Sequence, residues 1–392
     1  MTSADSATEA RFDAITAERL RAIGGSKWTR YGPDVLGAFV AEMDFGAAPA
    51  ITEALRTMVE DARFGYVSLA LNERLARATA QRYRQRFGWD IEPDWVHPAP
   101  DVLKTLEIAI GYFSRPGSPV VLPTPAYMPF LSVPPFLGRQ IIEVPMIDEG
   151  GRYRFDLEGL AAAFAAGGHM LILCNPYNPL GRVFSREELL EVCEVVEAGG
   201  GRVFSDEIHA PLVFPGHEHV PYASICEAAA GHTVTGASAS KAWNLAGLKC
   251  AQLILSAAAD RELWEEISFS AHGASAAGVI ANIAAYESGQ PWLDAVLGYL
   301  DGSRRHLGEL LAEHLPEVRY VAPEGTYLAW LDFRAYDLGE EVAAFFIDRA
   351  KVAMNNGAAF GAPGAGFARF NFAAPRPLVR QMIAAMGQAV RR

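Results

Sequence analysis

Apolar positions change period in an ordered way along this chain. From Pro49 to Asp61 they fall at Ile51, Leu55, Met58 and Val59, the spacing of one helical face. A second helix is predicted over 69–87; its arginines, Arg74, Arg77, Arg82, Arg84 and Arg86, share no single stripe and read as a solvated face. A third begins near Lys104. Short runs with apolar centres include Ser118–Leu122, Met170–Cys174 and Gln252–Ser256, and two similar segments end at Asp206 and Gly236. Such runs predict strands buried on both faces. Ser185 and Glu188 make a capping box that opens a helix with Leu189, Val192, Cys193 and Val196 on its apolar face. The alternation of strand and helix from 98 to 256 predicts an α/β fold with a mostly parallel sheet wrapped by helices. Residues 274–313 read as helix and link this part to a C-terminal one. There Val318–Ala322 and Thr326–Phe333 predict antiparallel strands of a smaller α+β domain. Residues 1 to about 10 are small and polar and are expected to fray.

Composition narrows the function classes. A chain of 392 residues that is 51% hydrophobic can bury a sizeable core, as one large domain or two of moderate size. Its net charge of −12, from 34 Lys and Arg against 46 Asp and Glu, argues against a nucleic-acid surface. No apolar run reaches the ~18 residues of a membrane span. The N-terminal stretch is polar and mixed in charge, so neither a transmembrane helix nor a signal peptide is expected, and the cytoplasm is the expected location. Cys174, Cys193, Cys226 and Cys250 lie far apart in sequence with no C-x-x-C spacing, so they read as free thiols. His217 and His219 lack a third ligand at suitable spacing, and no metal is expected. The Gly361–Gly366 loop has no following lysine and is a poor phosphate loop.

The candidate chemistry centres on Gly236-Ala-Ser-Ala-Ser-Lys241-Ala-Trp-Asn-Leu-Ala-Gly-Leu-Lys249. Hydroxyls at Ser238 and Ser240, with Lys249 eight residues beyond Lys241, suit a site that holds a phosphate and keeps one amine for chemistry. Asp206 closes an apolar strand, where a carboxylate is costly unless a positive group meets it. The helix start after Pro98-Ala-Pro-Asp101 offers orphan N–H groups that can receive an anion. Tyr127, leaving a strand in Pro-Ala-Tyr-Met-Pro-Phe, could stack on a flat ring. Asn178 opens the second of two Asn-Pro turn signals. Arg369 has the fork that suits a carboxylate.

These motifs, in this order from Ser26 to Ala374, resemble those of pyridoxal-phosphate (PLP) enzymes of the aspartate aminotransferase fold, in the MalY/PatB branch of cystathionine β-lyase-like C–S lyases. The resemblance implies PLP fold type I, with a seven-stranded-type sheet in a large domain over 46–280. It also implies an arm over 1–45 that belongs partly to the small domain, and a small domain over 281–392. It makes Lys241 the residue that carries PLP as a Schiff base and moves the substrate α-proton, and Asp206 the partner of the ring nitrogen. Tyr127 would stack on the ring. Asn178 and His209 would meet the phenolic oxygen. Ser238, Ser240, Lys249 and the N–H groups of Val102 and Leu103 would hold the phosphate, joined by Tyr66 from the neighbouring subunit of a homodimer. Arg369 and Asn178 would bind the substrate carboxylate, bordered by Val40, Ala41 and Glu42. Phe39 and Glu42 stand where the family has Trp and Asp, and Tyr177 where it often has His; these departures bear on the substrate.

The implied reaction is α,β-elimination from cystathionine or another L-cysteine S-conjugate, giving thiol, pyruvate and ammonia. An aminotransferase, or a decarboxylating or oxidative variant of the same fold, is the alternative. A ligand-sensing regulator would be expected to carry a DNA-binding domain ahead of Ser26, where only about 25 residues stand.

Overall fold

The computed structural model describes residues 3–391. Seven strands form one sheet: β1 (Val96–Ala99), β2 (Val120–Thr124), β3 (Ile141–Pro145), β4 (Met170–Cys174), β5 (Arg202–Asp206), β6 (Thr233–Ala237) and β7 (Ala251–Leu255). Their spatial order is β1-β7-β6-β5-β4-β2-β3. β7 runs against both of its neighbours, while β6, β5, β4, β2 and β3 are successively parallel. All residues of β2, β4, β6 and β7 are buried, which is why these segments are rich in apolar residues without alternation. The edge strand β3 gives no such signal, because Val144 alone of its residues is fully buried. Gly236 on β6 lets the helix Val102–Tyr112 lie close to the sheet: a Cβ there would stand 2.6 Å from Thr105 Oγ1 and 2.9 Å from the Phe204 ring.

A second sheet is antiparallel, with β8 (Arg319–Tyr320), β9 (Leu328–Asp332), β10 (Asn355–Asn356) and β11 (Phe367–Asn371) in the order β8-β9-β11-β10. The N-terminal arm belongs to this half of the molecule. Leu36–Gly37 pairs in parallel with Val352–Ala353. Phe12, Trp28 and Phe45 share one apolar cluster with Leu328, Phe370 and Met386.

Two expectations need correction. The helix read over 274–313 is two helices, Ala276–Ser288 and Gln290–His314, parted at Gly289. The Gly289 carbonyl accepts the Trp243 indole N–H at 2.9 Å, a Cβ at 289 would stand 2.6 Å from that nitrogen, and Pro291 has no N–H to continue the ladder. The N-terminus is also more ordered than its polar composition suggests, since Ser3–Asp13 is helical. Phe12 packs against Phe45 and Tyr299 at ring separations of 4.7 and 5.2 Å. Glu9 pairs with Arg376 at 3.0 Å, and Asp13 accepts from the Tyr299 hydroxyl. Residues 1, 2 and 392 lie outside the described residues.

Candidate active site

The parallel strands deliver the candidate residues to one edge of the sheet. Beyond the carboxyl ends of β1, β2, β4, β5 and β6 stand Val102, Tyr127, Asn178, His209 and Lys241, and Lys249 enters β7 from the same edge. Crevices at such strand ends are where open α/β sheets bind ligands. A cavity of about 160 Å³ lies there. It is lined by Asp101, Val102, Leu103, Tyr127, Asn178, Asp206, His209, Ser240, Lys241 and Lys249, together with Ala41 from the arm. Cys174, Ile208 and Ala246 complete its wall; the sequence reading does not single them out, because each is an ordinary apolar or thiol side chain within its element.

Lys241 and Asp206 in the cavity, and Arg369 beside Asn178 on its wall, make no ion pair among the described residues. Lys241 Nζ donates to the Ala41 carbonyl at 3.0 Å. Burial, reinforced by Arg369, pulls its ammonium down to about 8, against the opposing influence of Glu42 and Asp206. Asp206 accepts the Ile208 N–H at 3.0 Å. Burial raises its carboxyl to about 7, and no cation among the described residues pairs with it. Arg369 donates to Asn178 Oδ1 at 3.0 Å, to the Phe39 carbonyl at 2.8 Å and to Asn355 Oδ1 at 2.6 Å. Its Nε has no partner, no carboxylate among the described residues meets it, and burial lowers it to about 10. His209 is neutral: burial, with Lys241 and Arg369 nearby, takes it down to about 3, and its Nδ1 is unpartnered.

One end of the cavity suits an anion. Asp101 caps the helix Val102–Tyr112 by accepting from the Lys104 N–H at 2.9 Å, while the helical ladder offers no acceptor to the N–H groups of Val102 and Leu103. Lys249 reaches across to Asp101 at 2.8 Å, and its backbone is left-handed at φ 54°. Ser240 lines the cavity. Ser238 stands behind it, its hydroxyl donating to the Cys250 carbonyl at 2.7 Å and lying 2.7 Å from Ser240 Oγ, so in this structure it positions Ser240.

The arm's contribution is mainly backbone. Among Val40, Ala41 and Glu42 only Ala41 lines the cavity; the carbonyls of Val40 and Glu42 accept from Asn371 Nδ2 at 2.6 and 2.7 Å. The Ala41 carbonyl also accepts the buried Tyr327 hydroxyl at 2.8 Å. Asn244, left-handed at φ 62°, brackets Met43 by accepting its N–H at 3.0 Å and donating to its carbonyl at 2.9 Å. Beneath the loop, Lys27 pairs with Asp44 at 2.9 Å, and Asp44 also accepts the Trp28 indole N–H at 2.8 Å. Sequence spacing could not reveal these clamps, whose partners lie up to 346 positions away. Tyr177 is buried and donates to the Pro123 carbonyl at 2.7 Å, so it faces the fold and not the cavity. Tyr66 is 97% exposed and stands apart from the cavity within this chain.

The site fits a flat, phosphorylated aldehyde whose ring nitrogen is positive. Its donor set comprises an amine of lowered basicity, an unpaired carboxylate, an aromatic face and an anion cradle. Comparison with known proteins decides the lineage. Residues 38–385 match the aminotransferase class I and II family. The chain belongs to it. It is similar to a cystathionine β-lyase of Corynebacterium glutamicum, 40% identical over 91% of this chain and 94% of that protein. It is also similar to the cystathionine β-lyase PatB of Bacillus subtilis, 36% identical over 88% and 91%. A crystal structure of a putative PLP-dependent β-cystathionase from Corynebacterium diphtheriae superposes with a TM-score of 0.92 at 41% identity, covering 96% of this chain and 98% of that one. The family and fold expected from the motifs are thereby borne out.

Proposed function

We propose that this chain is a PLP-dependent carbon–sulfur β-lyase that cleaves the Cβ–S bond of cystathionine or another L-cysteine S-conjugate. The observation that carries the reading is the meeting of Lys241 and Asp206 in one cavity, with Arg369 bonded to Asn178 on its wall and none of the three in an ion pair among the described residues. Similarity to cystathionine β-lyases over nearly the whole chain supports this reaction over amino transfer.

When bound, PLP supplies an aldehyde that joins amines and a ring that takes up the electrons of a broken C–H bond. Asp206 would balance the positive ring nitrogen, Tyr127 would cover a ring face, and Asn178 and His209 would flank its oxygen. Lys249, Ser240 and the N–H groups of Val102 and Leu103 would hold the phosphate, with Ser238 behind them. Arg369, helped by Asn178, fixes the substrate carboxylate and so turns the Cα–H bond toward Lys241. With its basicity lowered to about 8, the Lys241 amine can take that proton near neutral pH. The sulfur then leaves as a thiolate with the Cβ–S electron pair and takes up a proton to become the thiol, and the three-carbon remainder takes up water to give pyruvate and ammonia.

The reading includes a cytoplasmic homodimer. Exposed Tyr66, Phe64, Leu69 and Phe269 border a groove of about 1040 Å³ beside β1, a face suited to a second copy that would receive Tyr66 at its phosphate. No described helix is long and apolar enough to cross a membrane.

The test incubates the PLP-loaded protein with L-cystathionine and S-substituted cysteines, without a keto acid, and measures thiol and pyruvate together. Equimolar release is expected. A new amino acid formed only when a keto acid is added, with no thiol released, overturns the lyase reading in favour of a transferase.

A further inference from the structure

A cluster of soft and borderline ligands lies on the outer side of the large sheet, apart from the cavity. Cys193 and Glu197 sit four residues apart on one face of the helix Arg186–Ala198. Cys226 caps the short helix Glu227–His232, and His232 ends it. Cys193 Sγ, a Glu197 carboxylate oxygen and a His232 ring nitrogen all lie within 4.8 Å of one another. Cys226 Sγ is 3.6 Å from Cys193 Sγ but outside that mutual set, so it joins as a fourth ligand by a shift of its thiol toward Glu197 and His232. Two zinc–sulfur bonds of about 2.3 Å at the tetrahedral angle place their sulfurs about 3.8 Å apart, close to this separation. The Tyr222 hydroxyl, 3.1 Å from His232 Nε2 and also hydrogen-bonded to Cys193, holds the imidazole and the thiol toward each other.

We propose that Cys193, Cys226, His232 and Glu197 bind one zinc-class divalent cation. Ligation releases both thiol protons to solvent and leaves the oxidation states unchanged. Cys193 is buried, Cys226 and His232 are partly open, and Glu197 is exposed, so a cation has a route from solvent and a dry inner ligand. The bound ion ties the helix that precedes β5 to the segment that precedes β6, the two strands that present Asp206 and Lys241. It sits at the amino end of β6, a strand's length of about 16 Å from the chemistry, so it acts on stability and not on turnover. Sequence spacing conceals the site because the two cysteines are 33 positions apart.

The test loads reduced, PLP-bound protein with Co²⁺ and records difference spectra of the wild type against Cys193→Ser, Cys226→Ser and Glu197→Gln. Expected are thiolate-to-cobalt charge-transfer bands at one equivalent per chain, abolished in both serine variants, weakened in Glu197→Gln and displaced by Zn²⁺. Zinc should raise the melting temperature of the wild type and leave that of Cys226→Ser unchanged, with lyase activity retained in both. Glu197→Gln, at an exposed position, serves if a cysteine variant fails to fold. Absence of the bands in wild type with both thiols reduced, equal bands in the serine variants, or a Cys193–Cys226 disulfide in the mass spectrum of freshly reduced protein overturns the site.

Discussion

Two sets of buried charge in this molecule are built in opposite ways. Beneath the arm, Lys27 and Asp44 satisfy each other, with the Trp28 indole and the Ala373 carbonyl taking up further bonds. At the cavity, Asp206 and Arg369 are buried and Lys241 is partly buried, and none of them is in an ion pair among the described residues. A paired buried charge needs nothing from outside the chain. An unpaired one shifts its proton affinity or waits for a ligand. The first set holds the loop that carries Ala41; the second is what that loop closes over.

The sharpest test of this contrast is Lys241→Ala. Lyase activity is expected to fall by at least the roughly 10²–10⁴-fold that a positioned base contributes, with loss of the visible absorbance of lysine-bound cofactor and an unchanged circular dichroism spectrum. Retained absorbance would show that another amine carries the cofactor. Next comes Arg369→Lys, which keeps the charge and loses the fork. Loss of one charge-assisted bond, roughly 1.5–3 kcal/mol, should lower kcat/KM about 10–100-fold, mostly through KM, with little change in melting temperature.

The paired set should respond in stability. Lys27→Met strands Asp44 in the core and is expected to cost roughly 3–5 kcal/mol, read by urea unfolding, whereas Lys27→Met with Asp44→Asn should recover much of that loss. If the single and double variants unfold alike, the pair is not what secures the arm.

The smallest effect is a pH dependence of the cofactor-free protein. The folded Asp206 carboxyl holds its proton to about 7, above its ordinary 3.8, so between these values the folded state binds more protons than the unfolded and this group's contribution to stability falls as pH rises. Lys241 acts in the other direction. Its folded value of about 8 lies below 10.5, and across that window its contribution rises with pH. Melting curves of cofactor-free wild type and Asp206→Asn should therefore diverge from pH 4 to pH 7, the variant gaining relative stability. Parallel curves would mean that Asp206 is not buried as a neutral acid.

What was legible in the sequence followed from local rules. Runs rich in apolar residues marked β2, β4, β6 and β7, and several candidate residues just past the strand ends line one cavity. β3 was hidden because it is an edge strand with mixed burial, and the Gly289 break because a long apolar period does not register one displaced turn. In the site, side chains that touch the cavity were readable from motifs. Those that hold it in shape, such as Asn371, Asn244 and Tyr327, were not, since each works by bonding a distant backbone. Ser238 and Tyr177 show the converse limit, for a motif fixes a residue's place in the chain but not which way its side chain turns.

The Ala41 carbonyl accepts Lys241 and Tyr327 together. An oxygen with two donors can release one and remain satisfied, so the lysine can leave this resting place without orphaning a polar group in the arm. The tyrosine stays behind as its tether. Detaching and returning the lysine therefore asks no rearrangement of the loop, and one side chain can travel in a site whose walls stand still.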